Sequence, residues 1–176
     1  MRKAQISGQI IIYILSMVIF AGILIYGYSA IQGFTKDQEK VAYIKFEEDF
    51  KNTVRGLLIS YGDVEVFNDR NPLKLPSGYT EICLIDLNVV ESDIPAALIS
   101  PNTGTNFPLI QNSWASGVQS NVFLMQNDKL KETFFAGNIT VAPNPPNKYL
   151  CFEITAGRAT GIMLEGKGSK AELTKI

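Results

Sequence analysis

Cys83 and Cys151 are the only thiols in this 176-residue chain, and each stands in the middle of a strand-like run among apolar neighbours. Neither looks like a nucleophile, because attack needs the thiolate and apolar burial holds a thiol protonated. Two readings of the pair stay open. In an oxidising compartment they join, and a bridge closing so long a loop contributes about 4 kcal/mol in the chain-entropy model. Otherwise they are reduced, buried small hydrophobes on strands that never meet. The chain has no histidine, which removes the commonest general acid/base and the commonest transition-metal ligand together. Ser-His-Asp, Cys-His and zinc chemistry are disfavoured, and no S-x-x-K offers a Ser-Lys nucleophile.

The remaining polar clusters have plain readings. Glu47, Glu48 and Asp49 are consecutive, so on a helix they point in different directions and form a solvated face, not a metal site. Asp86 and Glu91 are lone acids, able to flank calcium or a substrate only if folding brings them together. Gly161 to Lys167 superficially resembles a phosphate-binding loop, but Gly168 stands where Ser or Thr would hold magnesium, and no βαβ unit surrounds it. It reads as a strand leaving a sheet through a glycine turn. Asn138-Ile139-Thr140 is a glycosylation sequon at a strand start, exposed if Gly137 is a turn. Trp114, between Ser113 and Ser116, is either a ligand-stacking platform or the anchor of its loop. The sequence therefore predicts no catalytic residue, no cofactor and no metal. With 16 basic and 17 acidic residues, a net charge of −1 and no single-sign block, it also predicts no nucleic-acid partner.

The elements that would position these groups begin with Gln9 to Ile31, twenty-three residues without a charge. At about 1.5 Å per residue a helix of that length covers about 34 Å, enough for a hydrocarbon core of about 30 Å. It is predicted to span a membrane, with lipid as its first partner. Gly8, Ser16, Gly22 and Gly27 are poor residues for a soluble helix but common where lipid-embedded helices approach closely. Arg2 and Lys3 precede the run, while Lys36, Asp37, Glu39 and Lys40 balance beyond it, so the start leans cytoplasmic and the rest extracytoplasmic.

From residue 32 to 62 the pattern becomes amphipathic, with Val41, Ile44, Phe50, Val54, Leu57, Leu58 and Tyr61 on the expected core side and Gly62 as the stop. Gly33 is a place for a bend. Beyond Asp63 short β-rich runs alternate with Pro, Gly and Asn. Strands are predicted at 64–67, 79–87, 121–127, 130–136, 139–142, 147–155 and 159–167, with a last one in 169–176, and 79–87 is expected to be central. The expected turns are Asp128-Lys129, Pro143 to Pro146 and Gly157-Arg158. Residues 88–121 read as a long irregular excursion, the best place for specificity.

Lys3-Ala4-Gln5-Ile6-Ser7-Gly8-Gln9, directly before the apolar run, resembles the class III signal peptide of archaeal type IV pilin-like proteins. The resemblance implies a prepilin peptidase as partner, cleavage between Ala4 and Gln5, and a mature chain that keeps the whole apolar helix. It also implies self-association, or association with other pilin-like subunits, through that helix. Gln5 and Ser7 match the family pattern. Gln9 departs from it, since the family usually has glutamate as the fifth mature residue and an amide cannot supply that charge during filament assembly.

The sequence thus predicts an α+β protein: leader 1–8, transmembrane helix 9–31, amphipathic helix 32–62, and a β-rich extracytoplasmic head 63–176 built on a mostly antiparallel sheet, pilin-like in outline. The expected role is a non-catalytic, single-pass surface protein, structural or adhesive. The alternative is an uncleaved signal anchor carrying a ligand-binding module.

Overall fold

The computed structural model describes residues 4–142 and 148–176, with the side chains of 4–9, 32–37 and 91 excepted. Lys3 and the expected Pro143–Pro146 turn lie outside the described residues, and of Ala4, Gln5 and Gln9 only the backbone is given. The protein is α+β, an apolar N-terminal helix followed by antiparallel-rich sheets. It divides into two compact units, Met1–Val41 and Ala42–Ile176.

Helix α1 is assigned over Ala4–Ile59, so the two predicted helices form one element with Gly33 inside it. Its Ile10–Ile31 stretch has a mean hydropathy of 2.5 and no residue buried, which makes it long and apolar enough to cross a membrane. The Ser16 hydroxyl donates to the Tyr13 carbonyl 2.9 Å away, so this polar group is satisfied within the helix.

Within the second unit, α1 buries a narrower face than the sequence predicts. Phe46, Phe50, Val54 and Leu57 are buried, at steps of four, four and three that stack on one side of a helix. Ile44 and Tyr61 are exposed, and Leu58 is half-buried; Val41, the last residue of the first unit, is exposed as well. The stripe is set by what the sheets can cover, and residues a third of a turn away from it stay wet. The helix ends at Ile59, three residues before Gly62, whose φ of 85° turns the chain into the first strand.

That strand, β1 (Val64–Phe67), pairs with β9 (Ile162–Gly166), which pairs with β10 (Ala171–Lys175), which pairs in parallel with β6 (Ile139–Val141). A second four-stranded sheet has the order β5 (Lys129–Phe134), β4 (Val122–Gln126), β3 (Glu81–Ile85), β7 (Tyr149–Glu153), antiparallel throughout. The predicted central strand is therefore interior, with every residue of β3 buried. Two short strands that the sequence hid among turn residues, β2 (Leu73–Lys74) and β8 (Arg158–Ala159), make a separate ladder.

Two hairpin turns fall one residue earlier than expected. Positive φ values at Asn127 and Asp128, and at Ala156 and Gly157, place those pairs at the turn centres, where a two-residue loop needs the left-handed conformation. The predicted irregular excursion is also corrected. Residues 88–121 contain a 3-10 turn (Glu91–Asp93), a bridge between Ile99 and Asn106, and helix α2 (Pro108–Ala115). Leu98, Phe107, Ile110 and Trp114 from this segment are buried against one face of the second sheet. Apolar residues at 107, 110 and 114 are a helical stripe, which the surrounding Pro, Ser and Asn obscure.

Candidate functional site

The alternation of β3 sends Ile82 and Leu84 toward the α1 side and Glu81, Cys83 and Ile85 toward the 88–121 cover. On the cover side, Cys83 stands directly across from Cys151 of β7, with Cα atoms 4.0 Å apart. The neighbouring ladder bonds, from Ile154 N–H to the Thr80 carbonyl and from Asp86 N–H to the Lys148 carbonyl, fix the alternation. They put the two cysteines in a non-hydrogen-bonded pair, where opposed side chains come closest. Their sulfurs are joined in a disulfide buried under the cover. Of the two states left open by the sequence, the structure has the bridged one. Both sulfurs lie within 4.8 Å of a Glu81 carboxylate oxygen, but a disulfide has no thiolate to offer a soft metal.

Glu81 is the residue that the sequence reading overlooked. It is 4% exposed, and its Oε1 accepts hydrogen bonds from Ser100 Oγ at 2.7 Å and Asn102 Nδ2 at 2.8 Å. Ser100 Oγ in turn accepts from the backbone N–H groups of Asn102 and Thr103, so one buried carboxylate organises the turn after Ser100. Burial pushes the Glu81 carboxyl above its usual range, the two hydrogen bonds act downward, and the charges of Asp128 and Glu153 push it up further. The available signal was a single acid two residues before a cysteine, in a strand otherwise fit for burial on both faces.

Between the 88–121 cover and the end of β5 lies a cavity of about 500 Å3, lined by Leu87, Val89, Ile94, Trp114, Val118 and Phe135 with the amides of Asn88, Gln119, Asn121 and Asn138. Trp114 is 4% exposed and belongs to the second core, so it anchors the cover while contributing an edge to the wall. Phe135 and Val118 are nearly half exposed and form the accessible apolar surface. Asn121 is committed to Gly137 O and Ala136 N–H. Asn88 Nδ2 donates to Asn138 Oδ1 at 2.6 Å, and Asn138 Nδ2 donates to the Ser169 carbonyl at 2.9 Å. The sequon asparagine is therefore half-buried and tied at both ends of its amide, and a glycan on Nδ2 would displace the Ser169 bond. Gln119 is exposed and makes no hydrogen bond among the described residues.

No residue of this lining titrates or carries a nucleophile. The cavity can shelter an apolar group and hydrogen-bond an amide or hydroxyl, which is binding chemistry. The other sequence candidates are dispersed. Glu47 pairs with Lys51, and Glu48 and Asp49 are exposed, as a solvated face. Asp86 is buried and accepts from Asn88 N–H and Val141 N–H, so it pins the cover to β6, and the side chain of Glu91, its expected companion, lies outside the described residues. Residues 162–166 of the glycine-rich run are the strand β9, and Lys167 pairs with Glu165. The chain matches no protein-family model, no curated protein and no solved structure.

Proposed function

We propose that this is a membrane-anchored surface protein of the type IV pilin kind, a structural or adhesive subunit without catalysis. The observation that carries the reading is Ile10–Ile31, an uncharged apolar stretch with none of its residues buried in the chain's own interior. Lipid, or like helices, supplies the missing apolar surroundings. Gly22 and Gly27 add support: open space surrounds the position of a Cβ at each, so no contact within the chain requires glycine there. Close approach by a neighbouring helix would. The resemblance of Lys3-Ala4-Gln5 gives the amino-terminal cut to a prepilin peptidase, and Gln9 favours a membrane-retained, pseudopilin-like role over a minor subunit of a filament. The buried disulfide suits an extracytoplasmic head.

Mass analysis of the membrane-derived protein tests this. A mature chain starting at Gln5 supports the pilin reading, and retention of Met1 to Ala4 counts against it. Sedimentable fibres containing the chain would identify a filament subunit.

A second reading, a signal-anchored module that binds a peptide or saccharide of the envelope, is favoured by the cavity under the 88–121 cover. Retained residues 1–4 in a detergent-soluble monomer would select it.

A further inference from the structure

The sequon Asn138-Ile139-Thr140 contains a group that the fold does not explain. Thr140 lies in β6 between the buried Ile139 and Val141, is 7% exposed, and has its Oγ1 shut off from solvent with no hydrogen-bond partner among the described residues. A buried, unpaired hydroxyl is costly, and valine has nearly the same shape, suits a strand as well and carries no such cost. The hydroxyl is therefore of no use to the folded core. It is the group that completes an acceptor for N-glycosylation. The surroundings of the asparagine fit that role. Gly137, with φ of 114°, turns the chain just before it. Asn138 and Phe135 line the same cavity of about 500 Å3, and the Phe135 ring, three residues ahead of the asparagine, is 45% exposed. The Asn138 amide is half-buried, yet its bonds to Asn88 and Ser169 lie at exposed positions.

We propose that Asn138 carries an N-linked glycan, attached before β6 closes on β10, whose first sugar rests on Phe135 in that cavity. This rests on the extracytoplasmic head proposed above, since an exported chain meets lipid-linked sugars on that side of the membrane. In the transfer, Asn138 Nδ2 attacks C1 of a lipid-linked glycosyl phosphate. The Nδ2–C1 bond forms, the C1–O bond breaks, the lipid phosphate leaves with the electron pair, and one amide proton passes to a base of the transferase. The transferase has to reach Thr140, whose hydroxyl is closed off in the folded head, so the transfer precedes the pairing of β6 with β10. Once the head closes, the exposed bond from Asn138 to the Ser169 carbonyl is given up to water, while the apolar C–H face of the sugar covers the Phe135 ring. Gln119, exposed in the same lining, is placed to meet sugar hydroxyls. No charged residue lines the cavity, which suits a neutral sugar.

The test is mass analysis of the full chain purified from its native membranes, intact and after digestion. The peptide containing Asn138 should carry an excess equal to a whole number of sugar residues, kept in Thr140→Ser and lost in Asn138→Gln and Thr140→Val. An unmodified Asn138 overturns the site. With the Cys83–Cys151 bridge intact the site falls alone; with both thiols free the extracytoplasmic head falls with it. In the Asn138→Gln chain, which cannot be modified, adding Thr140→Val should raise Tm in detergent by about 2–4 °C. A fall would show that the hydroxyl supports the fold and would overturn the inference drawn from it. Phe135→Ala should lower Tm by about 2–4 °C more in the glycosylated chain than in the Asn138→Gln chain, and equal drops would overturn the contact between ring and sugar. Unmodified chain, folded first and then given membranes that hold donor and transferase, should gain no sugar; a gain would overturn the order of events.

Discussion

The two faces of the β5-β4-β3-β7 sheet are covered in different ways. On one, Ile82, Leu84, Val122, Leu124, Leu150 and Phe152 meet α1 through Phe46, Phe50, Val54 and Leu57, with hydrocarbon throughout. On the other, Ile85, Phe123, Met125 and Tyr149 surround a disulfide and meet Leu98, Phe107, Ile110 and Trp114 of the 88–121 cover. A helix satisfies its own backbone, so its contact face needs only shape. An irregular cover does not, and its polar groups must find partners below. The Tyr149 hydroxyl serves both the N–H and the carbonyl of Ile99, and Glu81 serves Ser100 and Asn102. Polar side chains thus gather on the face whose cover is least regular, and the cavity lined by Trp114 and Phe135 opens there.

Breaking the helix-side face should have the largest effect. Phe50 is 2% exposed, stacks on Phe46 and meets Phe134 edge to face. Phe50→Ala should cost about 3–5 kcal/mol, read as a lower denaturant midpoint with an unchanged slope. On the other face the comparison turns on the covalent link. Cys83→Ala with Cys151→Ala should cost about 2–5 kcal/mol, since the bridge spans 68 residues. Hydrogen exchange should show the loss concentrated in the cover and β7, with α1 least affected. Uniform loss would mean that the two faces form one cooperative block.

An intermediate effect is expected where α1 meets the first sheet. A Cβ on Gly166 would collide with the carbonyl oxygens of Leu57 and Ser60, and Gly166 exchanges backbone bonds with Gly62 and Asp63. Gly166→Ala should therefore cost about 1–3 kcal/mol by forcing the helix end outward. At Gly137, with φ of 114°, a Cβ would press on Val54, so the helix rests on two glycines.

How much of this was legible in the sequence follows the same divide. The strands announced themselves through β-branched and aromatic runs, and the central position of β3 through its lack of polar residues. The helix face was misjudged because Ile44 is as apolar as Phe46, and only the extent of the sheets decides which of the two is covered. The 88–121 cover was hidden because its helical stripe, Phe107, Ile110 and Trp114, sits among turn formers, and the strands it packs on lie outside the segment. Register was invisible as well. Nothing local to Cys83 or Cys151 states that they are opposed, nor that Glu81 would meet Glu153 two residues further along.

The smallest effect, and the one that most sharpens the contrast between the faces, is the pH response of Glu81. Its folded pKa is raised above the unfolded value of 4.5, first by burial, with Asp128 and Glu153 adding to it and Ser100 and Asn102 opposing. The folded state therefore holds this proton more tightly than the unfolded chain. Its stabilising contribution is full below pH 4.5 and is lost as pH rises through the folded pKa, since stability falls with pH wherever the native state binds more protons. Glu81→Gln preserves the acceptor but has no proton to lose. Relative to wild type it should gain stability as pH increases from 4.5, and the difference should level off once Glu81 is fully ionised. Urea midpoints across that range measure it. A gap that ignores pH would make Glu81 a loop support and nothing more.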